Sequence, residues 1–136
     1  MLKKLQAFTL IELMLTLIVV AILAVMIYPS YSHYVASAQR NRAEVALMQW
    51  SAQLEDYFSD QGTYKNADRE KWHMKNGVRG LDYRLTILTL SDRHFLLEAI
   101  PTGAQIQRDA RCGHLFLSDM NERKISGNGS VSQCWQ

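Results

Sequence analysis

The first third of the chain holds one long apolar run, from Phe8 to Tyr28. Its polar interruptions are Thr9, Glu12 and Thr16. At about 1.5 Å per residue, a helix of this length spans roughly 30 Å, which is the thickness of the hydrocarbon core of a bilayer. The pattern therefore predicts a transmembrane helix over residues 8–29.

The length of the run and the lack of a cleavage site after it separate this helix from a removable signal peptide. The basic residues Lys3 and Lys4 precede it, so we expect the start of the chain to stay in the cytoplasm. A signal peptide has a shorter apolar centre and a small-residue cleavage site, whereas here the run ends in IYPSY. The run also contains one carboxylate, Glu12, which costs about 2.5–3.5 kcal/mol near the middle of a bilayer. A simple anchor gives no reason for that charge.

Residues 30–61 predict the amphipathic continuation of the same helix. Pro29 predicts a kink because proline lacks an N–H group, and Gly62 is the expected end of the helix. Apolar residues recur at helical spacing and predict the side that faces the rest of the protein. These are Tyr31, Tyr34, Val35, Ala38, Val45, Met48, Ala52, Leu54, Tyr57 and Phe58. The charged residues expected mostly off this stripe are Arg40, Arg42, Glu44, Glu55 and Asp56.

The C-terminal half predicts a β-sheet. Residues 62–81 carry three glycines and many charges and are interpreted as a connecting loop. Alternating and β-branched patterns then predict strands at residues 82–90, 94–101, 112–119 and 123–127. Strands this close together favour an antiparallel sheet of about four strands within residues 82–136, with the helix covering one face. The predicted fold class is α+β, with a long N-terminal helix on this sheet.

Charge and composition exclude several functions. The chain of 136 residues has 15 basic and 13 acidic side chains, a net charge of +2. A nucleic-acid surface needs clustered positive charge, and only the loop at 62–81 offers any, so we expect no dedicated nucleic-acid binding. The two histidines His94 and His114 match no common zinc spacing with the cysteines. Because phosphate-binding and nucleophile motifs are also missing, we expect no metal, cofactor or small-molecule substrate, and no enzyme activity.

The stretch AFTLIELMLTL, residues 7–17, resembles the class III signal of type IV pilins and pseudopilins. The resemblance implies that a prepilin peptidase removes residues 1–7 by cutting between Ala7 and Phe8, and that Phe8 is then N-methylated. Glu12 becomes the fifth mature residue and Pro29 the twenty-second, as in that family. The residue before the cut is usually glycine, so Ala7 is a departure that puts the rate of processing in doubt.

The same resemblance implies a role and a set of partners. In a filament, the Glu12 carboxylate would meet the Phe8 amine of a neighbouring subunit and set the axial register between their helices. The implied partners are other pilin subunits, the prepilin peptidase, the inner membrane and the pilus assembly machinery. The protein would stay in the inner membrane, with residues 30–136 in the periplasm, until it joins a surface pilus.

The two cysteines, Cys112 and Cys134, suit the periplasm, where disulfides persist. Joined, they would close a C-terminal loop of the kind that heads in this family commonly have. With this loop, the chain most resembles a minor pilin of the PilE type. The alternatives are a pseudopilin of type II secretion and, from another class, a membrane-anchored periplasmic enzyme.

Overall fold

The computed structural model describes residues 8–67 and 79–136, and its first element is the helix α1, Leu10–Gln61. Thr9 caps this helix, because its Oγ1 accepts a hydrogen bond from the Glu12 N–H at 3.4 Å. At the other end, Gly62 has a φ of 69° and its N–H donates to the Phe58 carbonyl at 2.7 Å. A glycine with positive φ is a common helix end, so the predicted stop at Gly62 is confirmed.

Four antiparallel strands follow in the order β1-β2-β3-β4. They are β1, Tyr83–Leu90; β2, Phe95–Pro101; β3, Leu115–Ser118; and β4, Arg123–Ile125. The register of β1 on β2 shifts between Ile87 and Thr89. The α+β class and the four-stranded sheet are therefore confirmed.

Two short helices lie between and after the strands: α2, Gln105–Arg108, and α3, Val131–Cys134. The sequence pattern did not predict them, because four residues are too few to show a helical period. The third strand is also shorter than the predicted 112–119. Gly113 has a φ of 65°, and the Gly113 N–H bonds to the Asp109 carbonyl at 2.9 Å, so a turn occupies the start of that segment.

One apolar core joins α1 to the sheet. It contains Ala43, Ala46, Leu47, Trp50 and Leu54 from α1; Tyr64 and Ala67; Tyr83, Leu85, Phe95, Leu97, Ala99, Leu115 and Leu117 from the strands; and Trp135. The strand residues alternate along β1, β2 and β3, as expected for a sheet with one face covered. Tyr64 packs edge-on against Phe95 with ring centroids 5.1 Å apart.

The predicted buried side of α1 is only partly right. Val45 and Ala52 are exposed, while the charged Arg40 and Glu44 are buried. At 3.6 residues per turn, Val45 lies roughly opposite Leu47 around the helix. The sheet packs on the side that carries Leu47, Trp50 and Leu54, where the small side chains of Ala43 and Ala46 also lie in the core. Of the predicted stripe, Leu54 lies in the core and Met48, Tyr57 and Phe58 pack against it. The exposed members are Tyr31, Tyr34, Val45 and Ala52.

The described residues form two compact units, and the second of them, Val35–Gln136, is called the head below. The first unit ends at Tyr34. α1 continues through Pro29, and the kink expected there stays a prediction. Most of the predicted loop 62–81 lies outside the described residues.

Candidate functional site

The N-terminal part of α1 presents apolar side chains without protein cover. Every described side chain from residue 8 to residue 27 is exposed, and Phe8 is 79% exposed. By length and hydropathy the helix can cross a membrane. Such a surface is unstable in water, so lipid or other helices must cover it.

The first turn of α1 places Thr9 and Glu12 at the two ends of a capping box. Threonine at the cap and glutamate three residues later is a recurrent helix start, and glutamine serves equally well at the second position. The observed bond runs from the Glu12 N–H to Thr9 Oγ1. The sequence interpretation missed this local role, although the spacing Thr-x-x-Glu signals it. That bond uses only the backbone of Glu12, and capping by its carboxylate is a second explanation that the spacing offers and that needs no neighbouring subunit.

Ala7 and Pro29 are the other predicted residues of this segment. Ala7 lies outside the described residues. Pro29 lies inside α1, where it removes the helical partner of the Val25 carbonyl. Ser32 Oγ donates to the Pro29 carbonyl at 3.0 Å, which satisfies one backbone group beside the proline.

The side of α1 that points away from the sheet is the outer face, centred on Ala38, Val45 and Ala52. Val45 is 53% exposed and lies in a shallow groove beside Asn41 and Gln49. The face combines small and apolar side chains over several turns. Surfaces of this kind suit close packing against another helix.

The cysteines predicted to pair do so. Cys112 and Cys134 form a disulfide with Cα atoms 5.6 Å apart, and both are buried. The bond closes a loop that contains β3 and β4, for which the chain-entropy model gives about 3 kcal/mol of stabilisation. The disulfide also takes both sulfurs away from any metal. Among the described residues, no cluster of three or more histidine, cysteine, aspartate or glutamate side chains has metal-binding geometry.

Two close backbone contacts hold the disulfide-closed loop to the segment before it. The N–H of Gly127 donates to the Cys112 carbonyl at 3.0 Å, and that of Gly129 donates to the Arg111 carbonyl at 2.8 Å. A Cβ added at Gly127 would lie 2.1 Å from the Arg111 carbonyl oxygen. Only glycine fits at that position without moving the backbone.

Trp135 packs at the end of this loop. It is 5% exposed, and its Nε1–H donates to the Lys124 carbonyl at 3.2 Å. The Arg123 guanidinium lies 5.4 Å from the ring centroid, a cation–π distance. The tryptophan is therefore part of the packing of the sheet.

A buried polar network connects α1 to the turn before Cys112. Arg40 Nη1 donates to Asp109 Oδ1 at 2.5 Å, and the Tyr83 hydroxyl donates to Asp109 Oδ2 at 2.8 Å. Gln105 Nε2 donates to the Ala36 carbonyl at 2.9 Å. Burial raises the pKa of the Tyr83 hydroxyl well above its ordinary value, so it remains a donor. The network fixes the start of the disulfide-closed loop relative to α1.

Glu44 is the second buried charge on this side of α1. Its carboxylate lies 3.9 Å from Arg40, and its Oε2 accepts the Gln136 N–H at 3.1 Å. Burial raises the pKa of the Glu44 carboxyl, and the Gln136 N–H and the nearby Arg40 charge lower it by less. An ionised Glu44 is therefore a cost to the folded state.

Both histidines of the sheet pair with carboxylates and tie β2 to β3. His94 Nδ1 lies 2.9 Å from Asp119 Oδ2, and His114 Nδ1 lies 2.7 Å from Glu98 Oε1. Each pair connects a residue in or beside β2 to one beside β3. These contacts give both histidines a structural role.

The described ends of the loop at 62–81 are anchored on α1. Arg42 Nη1 donates to the Gly80 carbonyl at 2.8 Å, and Gln39 Oε1 accepts the Asp82 N–H at 3.2 Å. At the other end, the Tyr57 hydroxyl donates to the Lys65 carbonyl at 3.1 Å. The basic side chains Lys65 and Arg79 are exposed beside these anchors.

Comparison with known families gives two matches that cover most of the chain. Residues 2–28 match the prokaryotic N-terminal methylation motif. Residues 29–116 match the model described as "Type IV minor pilin ComP, DNA uptake sequence receptor". The second match covers more than half of the chain.

A curated relative and two solved structures agree with these matches. The fimbrial protein EcpC of Eikenella corrodens is 38% identical over 65 residues, which are 47% of this chain and 42% of EcpC. The chain thus matches less than half the length of that relative. The fold is similar to that of the non-core minor pilin PilV of Neisseria meningitidis, with a TM-score of 0.54 and 20% identity, over 72% of this chain and 94% of PilV.

A type IV pilin of Shewanella oneidensis has the same fold, again with a TM-score of 0.54. It is 22% identical to this chain, and the match covers 74% of this chain and 98% of the Shewanella pilin. At these identities the two structures establish the fold alone.

Proposed function

Because this chain belongs to the family of the type IV minor pilin ComP, we propose that it enters a pilus through α1 after its leader is removed before Phe8. Type IV minor pilins are structural subunits of a fibre and not enzymes. Membership of this family argues against the alternative of a membrane-anchored periplasmic enzyme.

The observation that carries the proposal is the uncovered apolar surface of α1. Side chains of residues 8–27 are exposed, and within the head the outer face of α1 is also exposed. A bilayer covers the first surface before assembly, and neighbouring helices cover both surfaces in a fibre. The head meanwhile folds on the opposite side of α1 and needs no part of the outer face.

Orientation in the membrane follows from charge and redox chemistry. Lys3 and Lys4 favour a cytoplasmic start, and the disulfide between Cys112 and Cys134 favours an oxidising compartment for the head. We therefore propose a single pass through the inner membrane, with the head in the periplasm, followed by transfer to a pilus on the cell surface.

Glu12 sets the axial register in this proposal. With the leader removed, the Phe8 amine carries a positive charge that is expensive in an apolar environment, as is the Glu12 carboxylate. A neighbour at one axial offset brings these opposite charges together, and other offsets leave both unpaired. The competing explanation is the capping box with Thr9, which acts within one subunit.

Substitution by glutamine separates these explanations. Glu12→Gln keeps a capping side chain but loses the charge, whereas Glu12→Val loses both. Truncating a buried charge pair costs about 2–5 kcal/mol. We therefore expect both variants to lower the amount of this subunit in sheared fibres, relative to the amount in the membrane, by at least about tenfold. The matched control is Thr16→Val, which removes a polar group one turn later and should leave incorporation unchanged.

The result for Glu12→Gln decides the role of the charge. If that variant is incorporated as well as the wild type while Glu12→Val is not, capping explains the residue and the register proposal is wrong. Normal incorporation of both would leave the carboxylate without a role in assembly. Membrane insertion should stay intact or improve in each variant, because a charge is removed from the apolar segment.

Membership of a type II secretion pseudopilus is the alternative use of the same helix. Deletion of the gene distinguishes the two machines by their outputs. We expect loss of surface fibres or twitching with normal levels of secreted enzymes. Loss of secreted enzymes with normal fibres would show that the subunit belongs to the secretion pseudopilus.

We propose duplex DNA binding as a second candidate function, because the family description names a DNA uptake sequence receptor. This candidate function differs from the expectation, drawn from the net charge, of no dedicated nucleic-acid binding. The sequence feature that supports it is the loop 62–81, where the basic residues are Lys65, Arg69, Lys71, Lys75 and Arg79. The loop is anchored to α1 at both described ends, and its exposed Lys65 and Arg79 are available to phosphates.

Fluorescence anisotropy with labelled duplexes tests this candidate. The double variant Lys65→Glu/Arg79→Glu should weaken binding and reduce the salt dependence, because each lost phosphate contact lowers the slope by about one unit. The matched control is Arg93→Glu, an exposed basic side chain outside the loop. Equal weakening by the control would mean that the binding has no defined site in this loop.

A further inference from the structure

One end of the head exposes three arginines, which we call the basic end. Arg84 is the second residue of β1 and pairs with Ile100 near the end of β2. Arg108 is the last residue of α2, and Arg111 directly precedes Cys112. All three side chains are exposed.

The topology brings these residues to the same end of the sheet. β1 begins where β2 ends, and the Thr102 N–H bonds to the Asp82 carbonyl at 2.9 Å. α2 then follows β2 directly. The nearby carboxylate of Asp109 is buried and neutralised by Arg40. Asp82 is partly exposed at this end, but Arg42 and Arg79 are exposed beside it, so the net exposed charge here is positive.

The opposite end of the head exposes carboxylates, which together form the acidic end. They are Glu55, Asp56, Asp60, Asp92 and Glu122. Tyr64 connects the end of α1 to the β1–β2 turn there, because its N–H bonds to the Asp92 carbonyl at 3.0 Å and its hydroxyl donates to Glu55 at 2.8 Å. Glu122 follows β3 at the same end of the sheet.

The two ends act as separate charge patches. β1 has eight residues, so the ends lie at least roughly 25 Å apart at about 3.3 Å per residue. This exceeds the Debye length of about 8 Å at physiological salt. The basic side chains near the acidic end reduce its charge without reversing it. These side chains are Lys65, Arg93 and Lys124.

We propose that the basic end of one head docks against the acidic end of a second copy of this chain. The inference rests on the proposed function, because it concerns contacts between heads in a fibre. The two ends are different surfaces, so the contact is head-to-tail. A head-to-tail contact whose rotation does not close produces an open filament.

Charge complementarity gives this contact direction. Exposed ion pairs contribute little energy each, but complementary patches steer encounter and penalise wrong partners. Two basic ends or two acidic ends repel each other. The heads therefore meet in one polarity, and high salt weakens that preference.

Zero-length cross-linking tests the contact directly. The variant Arg108→Lys places a reactive amine at the basic end and keeps its charge. In fibres sheared from cells that express this subunit in excess, carbodiimide should yield a dimer-sized product joining position 108 to Asp56, Asp60 or Glu55. We expect high salt to reduce this product. A product to carboxylates outside the acidic end, or no product, would overturn the proposal.

Charge reversal tests its contribution to assembly. Arg84→Glu/Arg108→Glu should lower incorporation about fivefold to thirtyfold by turning attraction into repulsion. Asp56→Lys/Asp60→Lys should do the same, and the combination of all four changes should restore incorporation. The matched control is Arg84→Lys/Arg108→Lys, which keeps both positive charges at the basic end and should leave incorporation unchanged. Non-reducing gels check that the disulfide forms in every variant.

The outcomes separate this proposal from the broader one. Absence of the wild-type subunit from fibres would contradict the proposed function itself. Normal incorporation of the reversed variants, or failure of the fourfold variant to restore it, would overturn the second-copy contact alone. Normal incorporation with lost DNA binding would assign the basic end to DNA instead.

Discussion

At the scale of single residues, Gly127 leaves the least room for a Cβ among the glycines that the structure describes in the head. Its Cα faces the Arg111 carbonyl oxygen so closely that any Cβ would lie 2.1 Å from it. The neighbour is backbone and cannot move aside as a flexible side chain does. The glycine therefore holds the disulfide-closed loop against the segment that precedes β3.

We predict that Gly127→Ala destabilises the head by about 1–3 kcal/mol, the usual cost of forced overpacking. For a unit of this size, each kcal/mol of lost stability lowers Tm by about 4–8 °C. Thermal unfolding of the detergent-solubilised chain measures it. Asn128→Ala, an exposed neighbour in the same turn, should be close to neutral. An unchanged Tm for Gly127→Ala would mean that the close approach is absent.

Glu44 supplies a prediction about pH. Its folded-state pKa is raised, mainly by burial, above the ordinary value of 4.5. Below about that pH both states are protonated and the folded state bears no penalty. As the pH rises toward the folded-state pKa, the unfolded state releases its proton first, so stability falls.

We therefore expect Glu44→Gln to raise Tm at pH 7 and to have no such effect at pH 4. The glutamine oxygen can still accept the Gln136 N–H, and the charge that burial disfavours is gone. Thermal unfolding across this pH range measures the difference, with Asp56→Asn, an exposed carboxylate of α1, as control. If Glu44→Gln lowered Tm relative to wild type at pH 7 and not at pH 4, burial of the ionised carboxylate would not be destabilising.

At the scale of elements, Arg40 and Asp109 lock α1 to the turn that leads into the disulfide-closed loop. We predict that Arg40→Met costs about 3–5 kcal/mol, because it leaves the Asp109 carboxylate buried and unpaired. The double variant Arg40→Met/Asp109→Leu should lose clearly less than the single variant, since no isolated charge remains. Chemical denaturation of the three proteins measures this. Equal losses would show that the pair has no mutual dependence.

The phase of α1 is the other property that belongs to the element scale. The helix carries two apolar stripes on nearly opposite sides, and only the one with Leu47, Trp50 and Leu54 meets the sheet. The second stripe, the outer face, is left for other helices. One amphipathic pattern thus serves folding on one side and assembly on the other.

At the scale of the whole molecule, the order of processing and assembly decides where the protein acts. We predict that the mature chain begins at N-methylated Phe8, which mass spectrometry of the purified subunit measures directly. A start beyond residue 28 would mean an ordinary signal peptide. Ala7→Gly should be processed at least as fast as wild type, since glycine is usual before the cut in this family. Slower processing of that variant would contradict the expected preference.

The sequence alone determined the long helix, the four strands and the pair of cysteines that form the disulfide. The long apolar run and the lack of proline or glycine from 30 to 61 dictate one helix. Alternation predicts the four strands, and the short turns after β1 and β3 favour antiparallel pairing. With two cysteines in the chain, one intramolecular disulfide was available. These properties are local or follow from counting, so the sequence suffices.

The tertiary structure decided which side of α1 is buried and what accompanies it. Both sides of α1 carry apolar and small side chains, but only the side with Leu47, Trp50 and Leu54 supplies the large side chains that fill the core against the sheet. Arg40 is buried on that side because Asp109, 69 residues away, neutralises it. No local pattern connects two charges so far apart. Their pairing exists only once the chain has folded, because burial makes each charge depend on the other.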